Sequence, residues 1–407
     1  MLSQKDKQIV RELAKQYMEA VNTEKQAKMY QRFKDTNDLK IVRPPVLIDE
    51  IPWGEMNIDN ELTCVCEDWS ARWAEMRFRR GLFYLKHFKA DNLLEPFFRI
   101  QRAYDTTGIG IDKKTVPSES GNHISSHAFE DILEDESSLE LIHDPVMTAR
   151  PDVDASRMEF YTDLLGDTIP IRFFGYGCCF DSPWDQLTFF RGVEPILVDM
   201  YDRPEYLHAL MKKFTSAKMA ELDFFEKNME VDNEITDLHC TPHPVSGLAS
   251  SGLKGTWYRR MAQSLGVVSP DMFEEFEVDY IYPLAERFAY TYYGCCESLD
   301  DRIDTIRKIP NLRKIGCSPW ANLEKCAEQI GKDYVLARKP NPSNVALHTN
   351  PDVIREEIEA TVKACIKNGC PYDYVLKDIT TVSGRPENLI VWSQTVSDVL
   401  DQYYGKE

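Results

Sequence analysis

The chain is expected to fold as an α/β protein. The form expected is a single (β/α)8 TIM barrel over residues 41–407, with an N-terminal helical extension over 1–40 and an irregular insertion over about 104–150. Three observations predict it. Six strand-like runs follow one another from Thr168 onward, each trailed by a helical stretch. Strands separated by helices need crossover connections and so a mostly parallel sheet, and two earlier apolar runs bring the count to eight. No run is followed by a glycine-rich phosphate loop, which removes the usual nucleotide-binding reason for an open doubly wound sheet.

In chain order, MLSQKDKQIVRELAKQYMEA opens a charged amphipathic helix, not a signal peptide with an apolar middle, so the protein is expected in the cytoplasm. PPVLIDEIPWGEM is a short strand ending in Asp49, Glu50 and Trp53, and DNLLEPFFRI is the second. From Tyr104 to Arg150 Gly, Ser, His and acidic residues mix without sustained periodicity, the pattern of an insertion that could form a lid. The regular part then runs IPIRFFGYGCC, NEITDLHC, ERFAYTYYGCC, LRKIGCS, YVLARKP and YDYVLKDIT. Helix starts are announced at Ser182-Pro183, Ser269-Pro270, Ser318-Pro319 and Asn350-Pro351. There a polar cap precedes a proline whose missing N–H costs nothing in the first turn.

With 67 acidic against 48 basic residues, the net charge of -19 makes a grip on nucleic acid or an anionic membrane a poor expectation, and no run of about 18 apolar residues predicts a membrane span. Eleven cysteines in 407 residues, with adjacent pairs at Cys178-Cys179 and Cys295-Cys296, read as reduced thiols and not as a disulfide framework.

Parallel barrels carry their chemistry at the C-terminal ends of strands. That rule selects Asp49, Glu50, Glu95, Gly175 to Asp181, His239 to His243, Tyr293 to Glu297, Cys317, Arg338 to Asn341 and Lys377 to Thr381. Cys295, Cys296 and Glu297 combine thiols and a carboxylate, donors suited to Zn²⁺; the plainer reading is two small hydrophobes beside a salt-bridged Glu. His239, Cys240 and His243 could converge only on a loop, because Pro242 and Pro244 forbid a helix. His239 is the preferred proton-transfer residue or ligand of the eight histidines. Arg338 and Lys339 would hold a carboxylate or phosphate, or else form rim ion pairs. Lys377 and Asp378 are an acid–base pair or a structural one. Asp49, Glu50 and Trp53, with Tyr293, would line the substrate entrance, where an aromatic beside carboxylates suits a neutral or cationic methylated ligand, or Trp53 merely packs.

CCFDSPWDQLTFFRGVEPILVDMYDRPEYLHALMKKF resembles the Phe-Gly-Pro-[Trp/Phe]-Thr-Leu signature and Asp-x-Pro-Glu continuation of the uroporphyrinogen decarboxylase superfamily. GVVSPDMFEEFEVDYIYPL resembles its Ser-Pro-x-x-Phe-x-Glu-Phe helix entry, and YYGCCE falls where members carry a ligand-binding strand end. The likeness spans about residues 150–400. The decarboxylase's Arg-Gln-Ala-Gly-Arg motif is missing, and acidic DEIPWGE stands in that part of the chain, which would repel a polycarboxylate. The resemblance therefore implies the corrinoid-linked methyltransferase branch, with a cobalamin supplied by a corrinoid protein as partner, a small-molecule substrate, and a homodimer as an open option.

In that branch zinc sits on His-x-Cys plus a late Cys; here those positions are Tyr293-Gly294-Cys295 and Lys377-Asp378. A more distant relative's ligand position falls at Cys317, so the resemblance implies a set of Cys295, Cys317 and Asp378, supplemented by Glu297 or His239; with the donor chemistry of the Cys295–Glu297 cluster, the metal residues expected are Cys295, Cys317 and Glu297. Methyl transfer is the first expectation. A decarboxylase or lyase using Arg338 or Lys339 with His239 or Asp378 is the second, and a non-catalytic corrinoid- or tetrapyrrole-binding barrel the third.

Overall fold

A computed structural model describes residues 2–117, 127–230, 239–240, 242, 244–347 and 349–406. Two helices open the chain, Gln4–Val21 and Glu24–Asn37, capped by Ser3 and Thr23, whose hydroxyls accept from Asp6 N–H and Gln26 N–H. Val10, Ala14 and Tyr17 recur at helical spacing and bury against Ala71, Ala74 and Phe78 of the helix Trp69–His87.

Seven strands form one parallel sheet in the order Val46–Ile48, Tyr372–Leu376, Val335–Arg338, Leu312–Cys317, Tyr290–Tyr293, Trp257–Arg260, Cys178–Asp181. The first strand of the chain thus lies beside the last, and the others follow in chain order. A second parallel pair joins Phe98–Gln101 to Ile171–Phe174, the segment just before Cys178. Among the described residues no ladder joins Val46–Ile48 to Phe98–Gln101. The architecture is therefore α/β with a parallel seven-stranded sheet that curves part of the way round.

The strand expectations hold for most of the described runs and change at two places. IPIRFFGYGCC divides into Ile171–Phe174 and Cys178–Asp181, with Gly175 between them too close to Met229 to carry a side chain. Trp257–Arg260 is a central strand that the sequence reading passed over, because four residues with two arginines give no apolar alternation. Most of NEITDLHC, with His243, lies outside the described residues. Ser318-Pro319 opens no helix; the helix there is Leu323–Ile330, capped by Asn322. The stretch expected to be irregular holds two short antiparallel ladders, Tyr104–Thr106 with Met147–Ala149 and Thr115–Pro117 with His127–Phe129, strands of three residues each, too short to show a period. No helix among the described residues is long and apolar enough to cross a membrane.

Alternation along the strands separates two faces. Tyr258, Tyr293, Leu336 and Tyr374 turn to the helices and join the large core, while Trp257, Tyr292 and Ala337 meet on the inner face with Val245. On the helix side Arg260 donates from Nε and Nη2 to Glu277, at 2.8 and 2.6 Å, and from Nη1 to Asp181 at 2.5 Å. Tyr258 and Tyr293 donate to the same two carboxylates, at 2.7 and 3.2 Å. Glu277 reaches them from the π turn Glu274–Val278, and this buried network fixes the ends of three neighbouring strands.

Candidate functional site

Beyond the C-terminal ends of the strands, three segments meet. Gly294–Glu297 follows Tyr293, Lys377-Asp378 follows Leu376, and Asp49-Glu50 follows Ile48. Lys377 Nζ donates to Cys295 Sγ at 3.2 Å, to Asp378 Oδ1 at 2.8 Å and to Cys296 Sγ at 3.6 Å. The Cys296 thiol donates to Asp378 Oδ2 at 3.1 Å, and Asp378 N–H donates to Glu50 Oε2 at 2.8 Å. His239 and Cys240 reach the same place: one ligand atom from each of His239, Cys240 and Cys295 lies within 4.8 Å of the other two.

The backbone at this place is strained. Among the described residues nine non-glycine residues have positive φ, and four of them are Glu50 (53°), His239 (41°), Cys240 (74°) and Asp378 (59°). Such conformations cost energy and concentrate where function requires them. Gly294, at φ 91°, is demanded twice, because a Cβ there would also lie 2.2 Å from Leu299.

Two thiols and an imidazole are a donor set for Zn²⁺. At Zn–S of about 2.3 Å and Zn–N of about 2.0–2.1 Å, tetrahedral ligands stand roughly 3.4–3.8 Å apart, so the convergence within 4.8 Å fits the ion after small adjustment. Three protein donors leave one tetrahedral position for a reactant, as catalytic zinc sites do. Of the two thiols only Cys295 is biased toward the thiolate. Hydrogen bonds from Cys240, Cys296 and His239, with the Arg259 charge, hold Cys295 well below the usual thiol value against the pull of burial. Cys240 and Cys296, as its donors, are raised. Burial pushes Glu297 up to about 7; one of its oxygens accepts Cys295 N–H at 2.8 Å, and the other has no hydrogen-bond partner. Lys377 stays charged: facing thiols and Asp378 outweigh burial and raise it.

The residues named from sequence divide into two groups. His239, Cys295, Glu297, Lys377, Asp378 and Glu50 are brought together. Cys317 is not: it is buried beside Arg338 and does not belong to the converging trio, because the next inward position on its strand belongs to Gly316. Tyr293 faces the helices and Glu277. Arg338 also faces the helices, where it donates to Ser318 O at 2.7 Å and pairs with Glu357 at 3.5 Å. Lys339 turns inward and donates to Tyr292 Oη and, at 3.3 Å, to Ala337 O.

Asp49, Glu50 and Trp53 do line a cavity of about 220 Å³, with Arg80, Tyr84, Asn92 and Pro242. The Trp53 ring that was to receive a cationic ligand has a cation of the chain itself, Arg80, 5.0 Å from its centre. Sequence reasoning missed Arg80 and Arg259. It also missed Glu55, which accepts from Thr381 Oγ1 at 2.7 Å and from Val382 and Gly384 N–H at 3.0 and 2.8 Å, clamping the loop after Asp378. None of the three sits at a strand end that the pattern of apolar runs marks.

No protein-family model and no curated protein matches the chain. Among solved structures it is similar to a methyltransferase from Methanosarcina mazei, at 13% identity and a TM-score of 0.47, over 92% of this chain and 99% of that one.

Proposed function

We propose that the chain is a corrinoid-linked methyltransferase of the uroporphyrinogen decarboxylase type, built on a closed (β/α)8 barrel and moving a methyl group between a small methylated compound or thiol and a cobalamin carried by a partner protein. The observation that carries this reading is the convergence of His239, Cys240 and Cys295 at the C-terminal edge of a parallel sheet.

These three residues would hold zinc, which when bound supplies Lewis acidity toward a thiol acceptor or a methyl donor. The remaining chemistry belongs to the chain. Cobalamin on the partner protein would supply or take the methyl group, and a thiol acceptor would have to give up its proton for a thioether to form. The Asp378 carboxylate, held by Lys377 and flanked by Glu50, is the base within reach of the cluster. Lys377 keeps negative charge on the sulfurs from repelling that carboxylate. Glu297, by accepting Cys295 N–H, fixes the orientation of the Cys295 loop. The cavity beside Glu50 would take the small reactant. Of the two cations on which the decarboxylase alternative rests, Arg338 is already paired with Glu357.

The test is zinc-loaded protein mixed with methylcobalamin and a short alkyl thiol, followed by the visible spectrum. Protein-dependent loss of methylcobalamin with thioether formation, abolished in Cys295→Ser, supports the reading. A methylcobalamin spectrum unchanged with every thiol and every corrinoid protein tried would contradict it.

A further inference from the structure

Arg259 and Arg260 end one strand, and alternation sends their guanidinium groups to opposite faces. Arg260 is saturated by Glu277 and Asp181. Arg259 turns to the inner face, where it is 0% exposed, lies 3.8 Å from the centre of the Tyr292 ring, and donates from Nη1 to the carbonyl of Arg260 at 3.0 Å. Its Nε and Nη2 have no hydrogen-bond partner, and no carboxylate among the described residues pairs with it.

Those two nitrogens form one edge of the guanidinium, the edge that matches a carboxylate with two parallel hydrogen bonds. This chain uses the same edge elsewhere: Arg260 grips Glu277 with it, Arg191 grips Asp199 at 2.9 and 3.4 Å, and Arg302 grips Asp301 at 2.9 and 3.5 Å. A second cation faces the same ring. Lys339 Nζ lies 4.9 Å from the Tyr292 centre, is fully buried, and also has no carboxylate partner. Nearby, Lys314 holds Asp373 at 2.7 Å. Cys295 and Glu297 offset part of the Arg259 charge, but among the described residues neither meets its open edge, and a buried donor edge left without an acceptor is costly, so the edge points to an anion from outside.

We propose that Arg259 and Lys339 form a subsite for the carboxylate of a small acid, set below the Cys295 cluster on the inner face. Arg259 pairs in register with Tyr292, three residues before Cys295, and both Arg259 and Lys339 turn to the inner face, so a small acid held there would extend toward the Cys295 cluster. The direction of that chain rests on the reading of Cys295 as the reaction centre; the subsite itself does not.

The test measures anion binding to the full chain without any methyl transfer, by calorimetry and thermal shift, with acetate and inorganic phosphate titrated at constant ionic strength. The expected result is a saturable rise in Tm with acetate, at least tenfold weaker binding in Arg259→Met, and ligand-free Arg259→Met at least as stable as the parent. Lys339→Met weakens acetate binding in the same direction and serves if Arg259→Met does not fold. No saturable response to acetate, an equal response in Arg259→Met, or a response to phosphate alone would overturn the proposal. Acetate binding with no methyl transfer would count against the proposed function and leave the subsite standing, and methyl transfer without acetate binding would do the reverse.

Discussion

The ammonium of Lys377 lies 3.2 Å from the sulfur of Cys295 and 2.8 Å from an oxygen of Asp378, so one buried cation joins a thiol on one strand end to a carboxylate on another. The two ends are separated by 82 residues, and nothing in the local sequence of either announces the other. Sheet order does: the strands ending at Tyr293 and Leu376 are held in one parallel sheet, which points both ends the same way.

Replacing this cation tests its role in the reaction. Lys377→Met keeps an unbranched chain as far as Cε and removes the ammonium, leaving Asp378 and Glu50 without this cation. It should retain zinc while kcat for methyl transfer falls by about 10²-fold, the usual size of an acid–base contribution. Metal analysis and steady-state kinetics on one preparation check both halves, and unchanged kcat would remove Lys377 from the mechanism.

The trio and Cys317 make opposite forecasts. His239→Ala, Cys240→Ser and Cys295→Ser should each weaken zinc binding by more than the roughly 10–100-fold that changes beyond the ligands cost. Cys317→Ser should bind zinc as the parent does, because Cys317 is not among the converging donors. Competition with a chromophoric chelator measures all four affinities.

Arg260 holds two buried carboxylates at once. Arg260→Met would leave Asp181 and Glu277 buried and unpaired, and the expected loss of stability is about 3–5 kcal/mol, read from urea unfolding. A loss below about 1 kcal/mol would show that these strand ends are fixed by packing alone.

Glu55 gives a pH forecast. Hydrogen bonds from Gly384 N–H and Thr381, with one from Val382 N–H, hold its carboxyl below the ordinary glutamate value. A depressed folded value contributes stability that is present above the unfolded pKa and lost as pH falls through the folded one. Unfolding free energy should therefore decline as pH drops from about 5 toward 3, and Glu55→Gln should flatten that decline. Identical pH profiles for the two proteins would contradict the clamp.

The parts of the fold legible in the sequence are those where a run of apolar residues is bounded by turn and cap signals: Leu312–Cys317, Val335–Arg338 and Tyr372–Leu376, and the helices behind Ser269-Pro270 and Asn350-Pro351. Trp257–Arg260 was illegible because its inner face carries a charge, Arg259, where a periodic pattern expects an apolar residue. The site was half legible. The rule that strand ends carry chemistry picked out Cys295, Lys377, Asp378 and Glu50. It could not rank them against Cys317 and Arg338, since one residue of register decides whether a side chain faces the site or the helices. Cys240 looked like a core cysteine because its partners arrive from distant segments.

The proposed chemistry requires His239, Cys240 and Cys295 to hold one metal ion. X-ray absorption at the zinc edge of the full chain, purified without chelator, tests this most directly. The expected result is one zinc per chain with two sulfur donors at about 2.3 Å and at least one nitrogen at about 2.0–2.1 Å, the sulfur count dropping by one in Cys240→Ser. Protein that carries no zinc and takes up none, or a spectrum that loses a sulfur in Cys317→Ser and none in Cys240→Ser, would contradict it.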